Sequence, residues 1–308
     1  MTTEEKRPIA VRVNHVLKDY GDGRGNFDIS LDIREGETLG LVGENGAGKT
    51  TLIRQLMGFI RSDRGSIQIY GKDAYKEGAF LKQYIGYIPG EINFPDMRSG
   101  TEFLNSYGKS RGASADNFAY ADQIISRLQL DVRAYPKRMS KGMKQKTAIV
   151  ACMMLKSPVI IMDEPTIGLD PLMRDELLKL VLEQKQRGAT MLMSSNTIEE
   201  LERVCDHVAL ISQGRIIDIA DVSDVKNRDL RDYKIEFDDD ESYLAFLKSR
   251  DDILRVKPEI DQATLRVNKA DIPQLFDTLE HYRIKYITEV KFNLSNYFDE
   301  KRKEMKVC

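Results

Sequence analysis

Two stretches near the start of the chain alternate apolar and polar positions: Ile9, Val11 and Val13, then Phe27, Ile29, Leu31 and Ile33, with Gly21-Asp22-Gly23-Arg24-Gly25 between them. A period of two marks half-buried strands and the glycine-rich break marks a turn, so the spacing predicts an antiparallel hairpin. The run Thr38–Val42 and the segment Val159–Pro165, by contrast, begin as unbroken apolar stretches. Strands of that kind belong in a parallel sheet covered on both faces. Shorter strands are predicted at Ser66–Tyr70 and Tyr84–Ile88, on either side of Gly71, with another at Thr190–Ser195 and a hairpin, Val208–Ser212 and Arg215–Ala220, split by Gln213-Gly214. Helical spacing governs Thr51–Met57, the two halves of Ser99–Leu128, a long stretch opened by Ser140, Leu172–Arg187 and Thr197–Val204. This alternation of strand and helix is that of a doubly wound α/β fold. The helices between about residues 96 and 156 read as a helical insertion.

From about Asp221 the character changes. A polar, charged linker (Asp221–Asp232) is expected to lead into a strand at Tyr233–Phe237, a helix around Tyr243–Leu247, strands at Ile253–Val256 and Thr264–Val267, a helix at Ile272–Leu279, a strand at Ile284–Val290 and a last helix at Leu294–Lys303. That describes a small C-terminal α+β domain, residues 223–308, appended to a large one, residues 1–222. The acid cluster Asp238-Asp239-Asp240-Glu241 lacks the spacing of a calcium loop and suits the N-terminus of the helix it precedes.

Composition narrows the function classes. A chain of 308 residues, 41% hydrophobic and 31% charged, can form a large and a small core. Its net charge of −2 offers no general basic footprint, so nucleic acid is not an expected partner. Cys152, Cys205 and Cys308 are widely spaced, which argues against a disulfide framework or zinc site and for a reducing compartment. The polar start (Met1-Thr2-Thr3-Glu4-Glu5) does not read as a signal peptide. The longest apolar run, Ala148–Leu155, is far below the ~20 residues that span a bilayer, so any membrane role is expected to pass through a partner chain.

The chemistry is concentrated in Gly43-Glu44-Asn45-Gly46-Ala47-Gly48-Lys49-Thr50, which fits G-x-x-x-x-G-K-[ST] between a predicted strand and a predicted helix. Glycines let successive backbone N–H groups turn inward on a phosphate chain, and the following helix aims its positive end at the same anion. Lys49 is then the candidate to neutralise the β- and γ-phosphates, and Thr50 to place its hydroxyl on Mg²⁺. Asp163 and Glu164 end a buried strand where open α/β sheets place their ligands. Asp163 suits Mg²⁺, and Glu164 suits a general base for an attacking water. Tyr20, closing the first strand, is a candidate to stack on a base.

Taken together, Ile9 to about Ala220 resembles the ATP-binding subunit of an ABC transporter. Gly43–Thr50 is similar to the Walker A loop, with Thr51 following it in the nucleotide site. Ser140–Gln145 is similar to the signature sequence, Asp163 and Glu164 to the Walker B pair, Gly168–Asp170 to the D-loop, and Tyr20 to the aromatic that stacks on adenine. The resemblance implies the P-loop cassette fold, with a parallel-rich sheet, an antiparallel subdomain and the helical insertion. It also implies ATP and Mg²⁺ as ligands and a head-to-tail pair of cassettes, a homodimer or a pair with a related ATPase subunit. Ser140, Gly142 and Gln145 would then complete the partner's nucleotide site. A separate permease would carry the export pathway, which places the chain in the cytoplasm on the inner face of the membrane. Three departures stand out. Lys141 and Met143 replace signature residues; Gly90 stands at the Q-loop position, leaving its neighbour Glu91 as the substitute metal contact; and Asn196 replaces the switch histidine. An asparagine amide can donate to a γ-phosphate but cannot carry a proton. The competing expectations are a slowly hydrolysing or structural nucleotide-binding subunit, and a non-transport ABC protein acting on ribosomes or DNA.

Overall fold

The computed structural model describes residues 7–306, and the chain divides into two compact units with the boundary after Asp221. In the first, β1 (Ile9–Asp19) and β2 (Gly25–Arg34) form the predicted hairpin, and β3 (Thr38–Val42) runs through the glycine loop into α1 (Lys49–Leu56). β4 (Arg64–Ile69) turns back into β5 (Lys72–Asp73), and the one-turn α2 (Gly78–Leu81) precedes β6 (Ile85–Ile88). Helices α3 (Gly100–Ser110), α4 (Ala115–Arg127) and α5 (Lys141–Met154) follow, each with a serine (Ser99, Ser114, Ser140) accepting from a backbone N–H of its first turn. Then come β7 (Val159–Met162), α6 (Pro171–Gln186), β8 (Thr190–Ser195), α7 (Ile198–Val204), β9 (His207–Ser212) and β10 (Arg215–Asp221).

The strands make two sheets. One is antiparallel, in the order β2-β1-β4-β5; the other runs β10-β9-β3-β8-β7-β6 and is parallel except at its β10 edge. Every residue of β3, β7 and β8 is buried, as the unbroken apolar runs require of strands covered on both faces. Val11, Val13, Ile29 and Leu31 of the antiparallel sheet share one core with Leu39, Leu41, Ile161 and Leu192 of the parallel sheet and with Leu52 and Ile53 of α1. The helix that follows the glycine loop is thus held between the two sheets, which fixes the direction of its N-terminus.

The second unit opens with α8 (Val222–Lys226), and β11 (Leu230–Phe237) already begins at Leu230. This corrects the expectation of a polar, charged linker over Asp221–Asp232. Val222 and Val225 are buried three positions apart on one helical turn, and Asp232 is not a linker charge but a strand residue paired with Arg266 at 2.7 Å. α9 (Asp240–Lys248), β12 (Ile253–Lys257), β13 (Gln262–Asn268), α10 (Ile272–Leu279), β14 (Ile284–Val290) and α11 (Leu294–Lys306) complete it. The sheet order β12-β13-β11-β14, antiparallel throughout, is the split βαβ arrangement. Tyr233, Ile235, Phe237, Phe246, Leu265 and Leu275 form its core. Asp239 caps α9 by accepting from Ser242 N, so the acid cluster serves a helix N-terminus. Among the described residues no helix is long and apolar enough to cross a membrane.

Candidate functional site

The glycine loop is shaped by two close approaches. A Cβ at Gly43 would lie 2.4 Å from the Ile211 carbonyl oxygen, and one at Gly48, where φ is +108°, would lie 2.6 Å from Asn26 Nδ2. Asn26 is fully buried and acts as a clamp: its Nδ2 donates to Gly48 O at 3.1 Å, and its Oδ1 accepts from Gln55 Nε2 at 2.8 Å. Gln55 in turn accepts from Ser62 Oγ. A polar chain running from β2 to α1 therefore sets the mouth of the helix whose first turn carries Lys49, Thr50 and Thr51.

Lys49 is 4% exposed. Its Nζ donates to Gly43 O at 2.6 Å, to Asn196 Oδ1 at 2.7 Å and to Glu44 O at 3.2 Å, and stands 3.2 Å from Glu164 Oε1. The amide of Asn196 donates to Glu164 Oε2 at 3.0 Å and to Asn45 Oδ1 at 3.1 Å. The structure thus gathers Lys49, Glu164, Asn196 and Asn45 into one network. Both amide donors of Asn196 are engaged with protein oxygens, whereas the sequence reading has one of them on a γ-phosphate.

Asp163 lies one residue past β7 and next to Ser194, because β7 and β8 pair with Met162 opposite Met193. Ser194 Oγ donates to Asp163 Oδ1 at 2.7 Å and accepts from Glu164 N at 2.9 Å. The other carboxylate oxygen, Asp163 Oδ2, is buried without a hydrogen-bond partner. A buried carboxylate oxygen of that kind is costly unless something completes it, and it fits a hard cation or its water. Burial and the neighbouring Asp163 charge push the Tyr87 phenol up to about 12, so Tyr87 adds no charge here.

Tyr20, Arg24, Asn45, Thr50, Thr51 and Glu164 line an open cleft of about 300 Å³ together with Gly25, Gly46, Gly48 and Lys49. Tyr20 is 54% exposed at the end of β1, on a turn closed by its own N–H donating to Arg24 O. An exposed aromatic wall and a lysine-floored loop in one cleft suit a base at one end and a phosphate chain at the other. Ala47 is buried beneath the loop, where its carbonyl accepts from Gly214 N.

The remaining sequence candidates lie elsewhere. Ser140 caps α5 through Met143 N, a Cβ at Gly142 would lie 2.8 Å from Gly168 O, and Gln145 Nε2 donates to Pro165 O at 2.8 Å. These contacts lock the signature helix to the Gly168 turn, but none of the three residues lines the Tyr20–Lys49 cleft. Glu91 is exposed and borders a different cleft with Lys141, Lys144 and Gln145. Gly90 is the residue that faces the metal candidate: a Cβ there would lie 3.1 Å from Asp163 Oδ2. The structure therefore does not bring Glu91 to Thr50 and Asp163, because the chain leaving β6 spends its close approach on a residue without a side chain. Asn26 and Ser194 are site residues that sequence reasoning passed over. A lone asparagine after a turn and a serine in an apolar strand carry no motif.

Residues 27–167 match the family model described as ABC transporter. The linearmycin resistance ATP-binding protein LnrL of Bacillus subtilis is 35% identical over 221 residues, covering 71% of each chain. The bacitracin transport ATP-binding protein BcrA of Bacillus licheniformis is 27% identical over 299 residues, 94% of this chain and 95% of that one. Among solved structures, an ATP-binding subunit of an ABC transporter superposes with a TM-score of 0.65 at 29% identity, over 71% of this chain and 92% of that chain.

Proposed function

The chain belongs to the ABC transporter family as an ATP-binding, ATP-hydrolysing subunit, and from that premise we propose that two cassettes close around two ATP molecules to drive export through a separate permease. The observation that carries this reading is the Lys49–Glu164–Asn196 network, of which Lys49 and Glu164 line the open cleft beside Tyr20. Ser140 and the N-terminus of its helix stand outside that cleft, so in this reading a second cassette docked head to tail would bring such a helix N-terminus to the γ-phosphate. In this reading Tyr20 stacks on the adenine, Lys49 and the loop N–H groups hold the phosphates, and Glu164 accepts the proton of the attacking water. Thr50 and Asp163 would hold Mg²⁺, with the unpartnered Asp163 Oδ2 as the oxygen that fits it. The cation, when bound, neutralises charge on the β- and γ-phosphate oxygens. Relatives named for linearmycin resistance and bacitracin transport support antibiotic-like molecules as cargo. Membrane attachment then comes from the permease.

Glu164→Gln tests the scheme, because the amide keeps the shape of the carboxylate but cannot accept a proton. ATP binding is expected to persist, phosphate release to stop, and the trapped nucleotide to hold a dimer in light scattering with ATP and Mg²⁺. A variant that stays monomeric at saturating ATP rules out the two-cassette sandwich for this chain on its own. A slower, nucleotide-gated subunit is the second reading, favoured by the engagement of both Asn196 donors with protein oxygens.

A further inference from the structure

We propose that Ser194 is a positioning residue for the divalent cation, a role resting on the reading of Asp163 as a Mg²⁺ group. The side chain is fully buried in β8, and its hydroxyl makes two bonds that act together. It donates to Asp163 Oδ1 at 2.7 Å, which pins the carboxylate in rotation and spends one of its oxygens. The second oxygen, Oδ2, is left buried, without a protein partner and facing Gly90. The same hydroxyl accepts from Glu164 N at 2.9 Å. Glu164 sits at φ +48°, a left-handed conformation that a non-glycine residue holds only when its surroundings impose it. One hydroxyl thereby fixes two geometries: the direction of the metal-facing oxygen and the backbone from which the Glu164 carboxylate projects.

The arrangement comes from strand register rather than from any contiguous motif. Parallel pairing of Met162 with Met193 carries Asp163 to Ser194 one step further along. The next residue, Ser195, works on a different partner: it donates to Glu200 Oε2 at 2.9 Å, which also accepts from Thr166 Oγ1. The two adjacent serines therefore tie the ends of β7 and β8 together on opposite sides of the strand. Only Ser194 touches the metal candidate.

Binding of a non-hydrolysable ATP analogue, titrated with Mg²⁺ and repeated in EDTA, separates positioning from general damage. Ser194→Ala is expected to need about tenfold more Mg²⁺ for half-saturation, the size of a lost hydrogen bond to a charged group. Its affinity for the analogue in EDTA should match wild type. Ser194→Cys keeps the volume but is a weak donor, and it should follow the alanine variant even if the smaller side chain compromises folding. Wild-type Mg²⁺ half-saturation in Ser194→Cys overturns the inference, as does an equal loss of affinity with and without metal in both variants. A wild-type protein whose analogue binding ignores Mg²⁺ brings down the metal reading itself, and the role of Ser194 with it.

Discussion

Replacing Asn196 by histidine is expected to speed this enzyme. In the present network the Asn196 carbonyl accepts from Lys49 at 2.7 Å, and its two amide hydrogens go to Glu164 and Asn45. A primary amide has two donors, so a γ-phosphate gains a bond from Asn196 only if Glu164 or Asn45 gives one up. A histidine at the same place can carry a proton, and its bond to the phosphoryl oxygens strengthens as charge develops on them. Exchanging a neutral donor for a charged one is worth about 1–2 kcal/mol of transition-state stabilisation, or roughly five- to thirty-fold in rate. The gain should fall on kcat with little change in KM, because the bond matters most once the phosphoryl group is in flight. Steady-state phosphate release from wild type and Asn196→His, purified and measured side by side over a range of ATP, decides the matter. An equal or slower histidine variant would mean that residue 196 serves Glu164 and the loop rather than the phosphate.

Two further expectations concern stability. Gly48→Ala meets both a φ of +108° and a Cβ position 2.6 Å from Asn26 Nδ2, whereas Gly46→Ala meets φ +83° with nothing within 4 Å. Backbone strain costs about 1–3 kcal/mol, so thermal melting should show Gly46→Ala losing several degrees and Gly48→Ala losing more; equal losses would refute the Asn26 clamp. His207 has Glu37 Oε1 2.8 Å from Nδ1 and Asp221 Oδ2 3.3 Å from Nε2, and the Glu37 carboxylate, with burial opposing, raises its pKa above the ordinary 6.5. A raised folded-state pKa means that this contribution is complete below the unfolded pKa and fades as pH rises through the folded one. Urea midpoints should therefore fall from pH 6 to pH 9 by more in wild type than in His207→Gln, and parallel profiles would exclude the histidine as the cause.

Most of the first unit was legible because its signals are local. Alternation at Ile9–Val13, unbroken runs at Thr38–Val42 and Val159–Met162, and the serine at position 140 each act within a few residues, and the strands and that cap stand where those signals lie. The contacts that finish the site are of another kind. Asn26 reaches Gly48 across 22 positions and Ser194 reaches Asp163 across 31, and neither partner is implied by the spacing around it. The same limit applies at Gly90 and Glu91: charge in the sequence favours the glutamate as a metal contact, but the path of the chain after β6 turns the glycine toward Asp163. In the second unit, a polar stretch hid α8 because a single helical turn needs only two buried positions, Val222 and Val225, too few to set up a period.

The network around Lys49 also links phosphate binding to the state of Glu164. An ammonium has three donors, yet four oxygens lie within 3.2 Å of Lys49 Nζ: those of Gly43, Glu44, Asn196 and Glu164. A phosphate oxygen brought against this lysine has to take the place of at least one of them. The two loop carbonyls belong to the backbone that forms the loop, and the Gly43 carbonyl is the nearest of the four, so the exchange falls on the side chains of Asn196 and Glu164. If Glu164 yields, its carboxylate loses its cationic neighbour while it keeps the amide of Asn196. In the proposed cycle, then, the arrival of the triphosphate both orders the substrate and frees the Glu164 carboxylate from its contact with Lys49. In that order of events the Asn196 amide is the contact that Glu164 retains once Lys49 has turned to its ligand.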